Sequence, residues 1–368
     1  MTHSVTVYLS PRHDLIHTSL LHTGFSALAD RGAIALRYRR AAGMEAWLAG
    51  DPIVVCFDVE GAAPVRVAVD LRDGEGVSRP IVDRVDRYFK RAFYQPEVDR
   101  LPPEQAVKLA PFGLNFGCRN GASTWRILQA IGLPLAAAGR TGLSRLRQYL
   151  LTPTIAAFEL DPSTPVSPRV TFQTRLWTED EVAAGEAAPL NADRVAMVRT
   201  LKRAFGDRFA GGLVPTPFAL ATYPDAITPH SSKYSDYLKL RQQCLVGVYT
   251  RGVEHSLAFK LGETLAASQC LVSVPLRYEL PSPIDEGRHY LSFTTPEQCV
   301  EACQRLLDDP SLASEMRHAN HEYYAREVEP AAHVMRILDR AGVGPAFAKA
   351  AAGQAPVSDG SGSEPTTA

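Results

Sequence analysis

The sequence predicts an α/β protein of two domains that face a shared cleft. Its 368 residues exceed the usual size of one compact domain. Short apolar runs typical of buried strands alternate with the apolar spacing of amphipathic helices along most of the chain. Hydrophobic residues make up 45% of the chain and charged residues 21%. These fractions are typical of a globular protein with a large core, and they exclude collagen-like, coiled-coil and wholly disordered classes.

The first domain is predicted over residues 1–118. A strand at 5–9 leads into a helical pattern that begins after Pro11, reaches Ala29 and stops at Gly32. The remaining predicted elements are strands at 33–38, 52–59 and 65–71, a helix at 81–93, and a last strand within 106–116. The apolar character of these strands indicates a small sheet that is covered on both faces.

A helical connector is predicted over 119–166, where two helical patches are broken by glycines and prolines. Strands and helices then alternate regularly over 167–310. The predicted strands are 169–177, 207–214, 244–250, 269–275 and 288–293, and the predicted helices are 192–206, 235–243, 255–268 and 295–309. Because strands joined by helical crossovers run parallel, this half predicts a doubly wound sheet. The tail at 351–368 lacks large apolar side chains and is expected to be disordered.

Charge and cysteine content exclude several kinds of protein. Lys and Arg number 39 against 40 for Asp and Glu, so the net charge is -1 and nothing indicates a dedicated nucleic-acid binder. No run approaches the roughly 20 apolar residues that cross a bilayer, and the N-terminus lacks the pattern of a signal peptide. Six dispersed cysteines without a CxxC pair predict reduced, buried thiols and no metal site. We therefore expect a cytoplasmic protein.

Four basic residues leave attachment to the inner face of a membrane open. Arg84, Arg87, Lys90 and Arg91 lie on the predicted helix at 81–93, where they would form a patch facing anionic lipid. On a helix such charges more often form the solvated face.

Candidate binding residues follow from the rule that ligands of an open α/β sheet bind at the carboxyl ends of its strands. Three loops of the second half qualify. They offer Gln173, Thr174 and Arg175, then Gly211 and Gly212, then Arg251, Gly252, Glu254, His255 and Ser256 followed by Lys260 and Glu263. Small residues let backbone amides approach an anion, a helix N-terminus adds partial positive charge, and Arg and Lys neutralise phosphate. The third loop therefore predicts a diphosphate cradle.

Spacing within the predicted helix at 255–268 suggests a second role. His255 and Glu263 are eight residues apart, a little over two turns, so they would share a face with Lys260 near the same stripe. A carboxylate there would accept hydrogen bonds from a ribose diol. The alternative is an ordinary ion pair of Lys260 with Glu263 on a solvated face, which the apolar neighbours at 257–267 disfavour.

The stretch from Gly252 to Pro310 resembles the nucleotide-sugar-binding half of GT-B glycosyltransferases, in particular those of bacterial surface glycans. The matching positions are Lys260-Leu261-Gly262-Glu263, Ala266, Val274-Pro275, Glu286-Gly287, Tyr290 and Phe293. NHEYYAREVEP resembles the C-terminal crossover helix of that fold. The resemblance covers about 167–345 and implies two Rossmann-like domains facing a cleft, with helices at 311–345 that divide near Glu329 and Pro330 and return to the first domain.

The resemblance also implies roles for individual residues. Glu263 matches the later Glu of an E-x7-E element and would bind the ribose of the donor. Lys260 and Arg175 match basic positions that stabilise the leaving nucleotide in place of a metal, so no cofactor is expected. The earlier Glu of the element is replaced by His255, a candidate catalytic residue in that place, and Glu254 stands one position before it. The implied donor-binding set is Arg175, Gly212, Arg251, Gly252, Glu254, Ser256, Lys260 and Glu263.

The first domain would then hold the acceptor and, in an inverting enzyme, a general base. Asp58, at the end of an apolar strand, and His13, after the first strand, are the main candidates, together with Asp14 and His17. Each has a structural alternative: Asp14 would cap the first helix, the two histidines would be exposed, and Asp58 would brace a turn. A retaining enzyme would need no such base.

The sequence thus predicts a metal-independent glycosyltransferase that moves a sugar from a nucleotide-sugar donor to a hydroxyl of a glycan, glycolipid or related acceptor. A role in bacterial surface polysaccharide synthesis is implied by the resemblance alone. Two alternatives stay open, a nucleotide-sugar epimerase of similar two-domain fold and a catalytically silent partner subunit. A Rossmann dehydrogenase is disfavoured because YLSPRHD stands where a GxGxxG would follow the first strand.

Overall fold

The first half of the protein forms a six-stranded sheet in a computed structural model that describes residues 3–10, 12–40, 53–60, 63–137 and 139–343. The strand order is β2-β1-β3-β4-β5-β6. These strands are β1 His3–Leu9, β2 Ile34–Arg40, β3 Val54–Glu60, β4 Val65–Asp70, β5 Arg87–Lys90 and β6 Leu109–Pro111. Strand β3 runs antiparallel to β1 and to β4, whereas the other neighbouring pairs are parallel. The carboxyl ends of β3 and β1 therefore point towards opposite ends of the strands in this sheet.

The helices of the first half and of the connector differ in length from the predictions. They are α1 Ser19–Asp30, α2 Arg79–Val82, α3 Gln95–Val98, α4 Pro103–Ala106, α5 Gly121–Ala137 and α6 Gly139–Leu151. Helix α1 does not begin directly after Pro11, because Asp14 accepts the amide hydrogens of Ile16 and His17 and holds a turn there. Gly32 follows α1 with a φ of 70°, as a stop signal requires.

The predicted helix over 81–93 is wrong. Only its first residues are helical, and β5 occupies Arg87–Lys90 between β4 and β6. Aromatic side chains favour a strand that is buried on both faces, and Tyr88 and Phe89 are buried there. Lys90 and Arg91 are only 1% and 3% exposed, and they pair with Asp70 and Asp73. The proposed lipid-facing patch at 84–91 therefore does not exist.

The second half is a doubly wound sheet, as predicted. Its five strands are all parallel, in the order β11-β10-β9-β7-β8. They are β7 Ser167–Thr174, β8 Phe209–Leu213, β9 Cys244–Tyr249, β10 Cys270–Ser273 and β11 Tyr290–Ser292. Strand β7 pairs with β8 on one side and with β9 on the other, so the direction of winding reverses between β7 and β9. Crevices open at such switch points, beyond the carboxyl ends of the strands.

The helices of the second half end at the residues that local capping and stop signals predict, with one exception. They are α7 Ala187–Phe205, α8 Pro217–Thr222, α9 Tyr234–Gln242, α10 Phe259–Ala266 and α11 Pro296–Asp308. Gly206 ends α7 with a φ of 51°, and Thr295 with Gln298 forms a capping box at the start of α11. The exception is the helix predicted at 255–268. It begins only at Phe259, because residues 253–255 form a tight turn in which Glu254 and His255 have left-handed φ angles.

The C-terminal helices return to the first half. Helix α12 (Pro310–Tyr323) passes through a π-helical turn into α13 (Pro330–Leu338), and the break at Pro330 is the one predicted. Helix α13 packs against α1, where a side chain on Gly24 would overlap the carbonyl oxygen of Pro330. The GT-B-like fold is confirmed by these features: two Rossmann-like sheets face a cleft and crossover helices join them. The predicted disordered tail at 351–368 lies outside the described residues.

One hydrophobic core joins the two halves. It contains residues of β1, β3 and β4 together with Leu261 and Leu265 of α10 and Val334 and Ile337 of α13. A separate cluster fills the far side of the second sheet against α7 and α11. All six cysteines are buried thiols. Of the helices in the described ranges, none is both long and apolar enough to cross a membrane.

Candidate active site

A cavity of about 570 Å³ lies at the carboxyl ends of β7 and β9, at the switch point of the second sheet. Three parts of the chain enclose it. The second sheet and α10 contribute Gln173, Arg175, Thr250, Phe259, Lys260 and Glu263; the first half contributes Ile16 and Gly117; and helix α6 contributes Gln148 and Leu151. The cavity therefore lies where the two halves and the connector meet.

Three cationic side chains line this cavity: Arg175, Arg194 and Lys260. The guanidinium of Arg175 lies 4.3 Å from the centre of the Trp177 ring and pairs with Glu181. Arg194 of α7 is buried and donates to the carbonyl oxygen of Arg175 at 2.6 Å and to that of Arg251 at 3.3 Å. Its buried Nε has no hydrogen-bond partner in the described structure. Arg194 was not predicted from the sequence.

Lys260 is held beside these arginines in a site that opposes its charge. Its Nζ donates to the carbonyl oxygen of Gln173 at the end of β7. Burial lowers the pKa of Lys260 to about 7, and the charge of Arg194 acts in the same direction while Glu263 opposes it. An anion entering the cavity would favour the charged form of Lys260, so this wall is suited to a phosphorylated ligand.

Glu263 is the one carboxylate among the described residues that line the cavity, and it is held by three partners. Its oxygens accept hydrogen bonds from Tyr234 at 2.6 Å and from Tyr237 at 3.4 Å, and Arg241 lies 3.3 Å away as an ion-pair partner. Glu263 is only 3% exposed. The alternative of a solvated ion pair with Lys260 is therefore wrong, because Glu263 is buried and pairs with Arg241.

Residues 251–256 of the third predicted loop lie outside this cavity. Arg251 pairs with Glu186 at 2.9 Å, and the same carboxylate oxygen accepts the amide hydrogen of Glu254. Gly252 closes a turn against Ser256, whose carbonyl oxygen accepts the Gly252 amide hydrogen at 3.2 Å. His255 is exposed and precedes α10, so it does not share a helix face with Glu263. The shared-face expectation is wrong for this reason.

Glu254 instead faces the first half of the protein. A Cβ placed on Gly74 would lie 2.7 Å from a carboxylate oxygen of Glu254. Nearby, Arg277 pairs with Glu75 at 2.8 Å across the same boundary. This loop therefore contributes to the contact between the two halves.

Gly212 lies on β8, away from the cavity. Its φ is 134°, and a Cβ there would lie 2.6 Å from the Cα of Thr228. The glycine is required by close packing of two backbone segments. It was predicted as a donor-binding residue, and the structure places it outside the site.

Two of the four first-domain candidates are placed away from the cavity. Asp58 pairs with Arg66 at 2.8 Å and accepts a hydrogen bond from Tyr8 at 2.7 Å. Because β3 is antiparallel to β1, the end of β3 points away from the loops that follow β1. His13 is 2% exposed rather than on the surface, and burial lowers its pKa to about 4. Neither side chain lines the cavity.

His17, with Asp14, lies at the edge of the cavity. Its Nδ1 is 2.9 Å from the Asp14 carboxylate, and its ring centre is 5.1 Å from that of Phe259, a cavity residue. Burial alone would raise the pKa of Asp14, but hydrogen bonds from His17 and from the backbone lower it to about 2. The structure thus places a His-Asp pair of the first half against Phe259, a residue that lines the cavity from the second half.

No family model matches the sequence, and no curated protein matches it either. Solved structures with a similar course of the chain include a putative UDP-N-acetylglucosamine 2-epimerase from Listeria monocytogenes, at 12% identity over 92% of this chain and 95% of that one, with a TM-score of 0.41. A glycosyltransferase from Rickettsia africae has 9% identity over 91% and 82%, with a TM-score of 0.41. TarM from S. aureus has 10% identity over 75% and 55%, with a TM-score of 0.37.

The residues that the sequence analysis missed belong to elements without a local motif. Arg194 sits within the amphipathic pattern of α7, and Trp177 follows β7 among polar residues. Tyr234 begins α9, and its ring stacks on that of Tyr237 at 6.1 Å. The available signal was position, since Trp177 lies in the loop after β7 and Arg194 in the helix that follows this loop.

The described ranges contain no metal-binding cluster. They hold no group of three or more His, Cys, Asp and Glu side chains arranged around a common point.

Proposed function

We propose that this protein is a glycosyltransferase that uses a nucleoside-diphosphate sugar as donor and a hydroxyl as acceptor. The observation that carries the proposal is the charge of the cavity at the β7–β9 switch point. Arg175, Arg194 and Lys260 line it, and Glu263 is the acidic residue among its described lining side chains. A diphosphate supplies the negative charge that this excess of positive charge favours.

The same residues support departure of the nucleotide. As the bond between the anomeric carbon and the diphosphate oxygen breaks, negative charge grows on that oxygen. Lys260 and Arg194 are already fixed beside the cavity by hydrogen bonds to backbone carbonyl groups. Fixed cations of this kind stabilise developing charge without reorganisation. We propose that the reaction needs no metal for this reason.

The remaining walls suit the rest of a donor. The rings of Trp177 and Tyr234 line the cavity and offer apolar faces to a nucleobase. Glu263 would accept hydrogen bonds from the ribose diol, in exchange for or in addition to the one from Tyr234. The roles of Glu254, His255 and Ser256 in binding the sugar stay predictions.

His17 is the best-placed general base for an inverting reaction. Its ring would take the proton of the acceptor hydroxyl as that oxygen attacks the anomeric carbon, and Asp14 would stabilise the resulting imidazolium. The acceptor would enter from the first half and the connector, which contribute Ile16, Gly117 and Gln148 to the cavity. A glycan or glycolipid acceptor, and surface polysaccharide as its destination, are part of the proposal.

The test combines ligand binding with product analysis. Purified protein is titrated with a panel of nucleoside diphosphates and their sugars, and melting temperature is recorded, because a ligand of the native state raises it by mass action. The best donor is then incubated with candidate acceptors. Release of nucleoside diphosphate together with a new glycoside is expected. An epimerised sugar would favour the epimerase, and binding without turnover would favour a catalytically silent subunit.

Variants connect the activity to the cavity. Lys260→Ala is expected to lower turnover about 100-fold at saturating donor, and Glu263→Ala to raise the donor Kd. Lys239→Ala, which removes an exposed lysine of α9, is the matched control. If Lys260→Ala transferred sugar as fast as the parent protein, the site would be wrongly assigned.

A further inference from the structure

The connector helices expose large apolar side chains that no described residue covers. Trp125 of α5 is 63% exposed, and Leu143, Leu150 and Leu151 of α6 are 52%, 39% and 69% exposed. We call α5 and α6 together the connector hairpin. Exposed apolar residues in such a group mark an interaction surface more often than single ones do.

Helix α6 arranges these side chains in a stripe. Leu143 and Leu150 are seven residues apart, so they lie on the same side of the helix, and the exposed Arg147 lies four residues after Leu143. Another side of the helix carries the buried Tyr149, which packs with Leu9 of the first half and with Ile127 of α5. The helix is therefore held by one side and presents leucine and arginine on another.

The charged side chains of the connector hairpin and its flanking residues are all positive. No Asp or Glu occurs from residue 105 to residue 158, and the basic residues of that stretch are Lys108, Arg119, Arg126, Arg140, Arg145 and Arg147. The whole chain has a net charge of only -1. In the fold Arg126 pairs with Asp30 of α1 at 2.7 Å, whereas Arg140 and Arg147 are exposed on α6. A helix that combines leucine and tryptophan with arginine and lacks acidic residues matches an anionic lipid surface in both polarity and charge.

We propose that the connector hairpin docks on an anionic lipid bilayer, with Leu143 and Leu150 entering the headgroup boundary and Arg140 and Arg147 contacting lipid phosphates. Helix α6 also lines the main cavity through Gln148 and Leu151. A smaller cavity of about 130 Å³, lined by Arg12, Asp14 and Arg145, adjoins it. Docking through α6 thus turns the acceptor side of the active site towards the bilayer. Membrane binding through the hairpin does not depend on the sugar-transfer reaction.

The test is co-flotation of the full chain with vesicles of phosphatidylglycerol and phosphatidylcholine, compared with phosphatidylcholine alone. Binding is expected only to the anionic vesicles and is expected to fall steeply between 0.1 M and 0.5 M NaCl. The pair Arg140→Gln and Arg147→Gln should lower the partition coefficient about 30-fold, since each arginine near the surface contributes about a fivefold factor. The pair Leu143→Ser and Leu150→Ser should lower it at least about tenfold.

Matched controls lie on exposed parts of the second half. Leu220→Ser removes a leucine that is 50% exposed and compares directly with Leu143→Ser; the pair Arg203→Gln and Arg208→Gln compares with the arginine pair. Both controls should bind vesicles like the parent. Melting temperatures confirm folding, and if the leucine variants fail to fold, the arginine pair decides. Equal binding to neutral vesicles, no binding to anionic ones, or equal loss in the controls would overturn the proposal, as would a dimer that buries Leu143.

Discussion

At the scale of single residues, the cavity lining includes two cationic side chains, Lys260 and Arg194, whose surroundings do not fully compensate their charge or their hydrogen-bond donors. Lys260 is desolvated and lies close to Arg194, and both effects lower its pKa to about 7. The buried Arg194 keeps one donor unpaired among the described residues. Such groups are costly to keep in a folded protein unless a ligand completes them. An anion bound beside Lys260 and Arg194 would favour the charged form of Lys260 and offer an acceptor to Arg194.

Binding of a nucleoside diphosphate should therefore take up a proton. The ligand raises the pKa of Lys260 above its value of about 7 in the free protein, so at pH 8 a lysine that is mostly neutral becomes charged. Affinity should accordingly weaken as the pH rises from 7 to 9. Calorimetric titration at pH 8 in buffers of different ionisation enthalpy measures the uptake, which should approach one proton per ligand. Lys260→Met should abolish the uptake and Lys239→Met should leave it intact; an uptake that persists in Lys260→Met would assign it elsewhere.

Replacing His17 tests the acceptor side of the site. His17→Gln keeps a polar side chain but cannot accept and carry the proton, so transfer should slow by about 100-fold to 10,000-fold. The donor Kd should stay within a factor of about two, because His17 lies at the edge facing the acceptor. His318→Gln, an exposed histidine of α12, serves as the control. Unchanged transfer by His17→Gln would indicate a retaining reaction, which needs no base at this position.

At the scale of elements, the crossover helix is held by a close contact between two helices. Gly24 of α1 faces Pro330 and Val334 of α13, and a Cβ there would lie 2.6 Å from a methyl carbon of Val334. The absence of a side chain at position 24 lets the two helix backbones approach. Contacts of this kind do not yield to small shifts, because the neighbour on one side is backbone.

Gly24→Ala should destabilise the protein by about 1–3 kcal/mol, since it forces α13 away from α1. Urea unfolding followed by circular dichroism measures the loss. Gly76→Ala is the matched control, because nothing lies within 4 Å of a Cβ placed on Gly76 and its φ is not left-handed. A Gly24→Ala protein as stable as Gly76→Ala would show that α13 does not pack closely on α1.

At the scale of the whole molecule, the two halves behave as one body because they share a core. Leu261 and Leu265 of α10 belong to the same apolar cluster as Phe112 and Phe116 of the first half. A Cβ on Gly262 would lie only 2.9 Å from the ring of Phe116. Polar contacts add to this boundary, including the pair of Arg277 with Glu75. The cavity is lined from both sides of this boundary, by Ile16 and Gly117 of the first half and by Phe259 and Lys260 of the second.

Thermal unfolding should consequently be a single cooperative transition. A domain that unfolded first would expose the shared core, so neither half is expected to melt alone. Differential scanning calorimetry should give equal calorimetric and van't Hoff enthalpies, and a donor analogue should shift the whole transition upward. Two separated transitions, or a ligand that shifts only one of them, would contradict a shared core. Phe116→Ala is expected to lower the midpoint and is the variant that would separate the halves.

The sequence by itself determined the features that depend on neighbours along the chain. Alternating strand and helix patterns predicted the parallel second sheet, Gly206 and Pro330 predicted helix ends, and Lys260 with Glu263 predicted one wall of the site. Only the tertiary structure decided which strand runs backwards and that Arg87–Lys90 is a strand. It also decided that Arg194 lines the cavity and that His17 packs against Phe259 at its edge, while Asp58 and Gly212 lie elsewhere. The physical reason is that periodicity and turn chemistry are local, whereas strand direction, burial and convergence depend on contacts between distant segments.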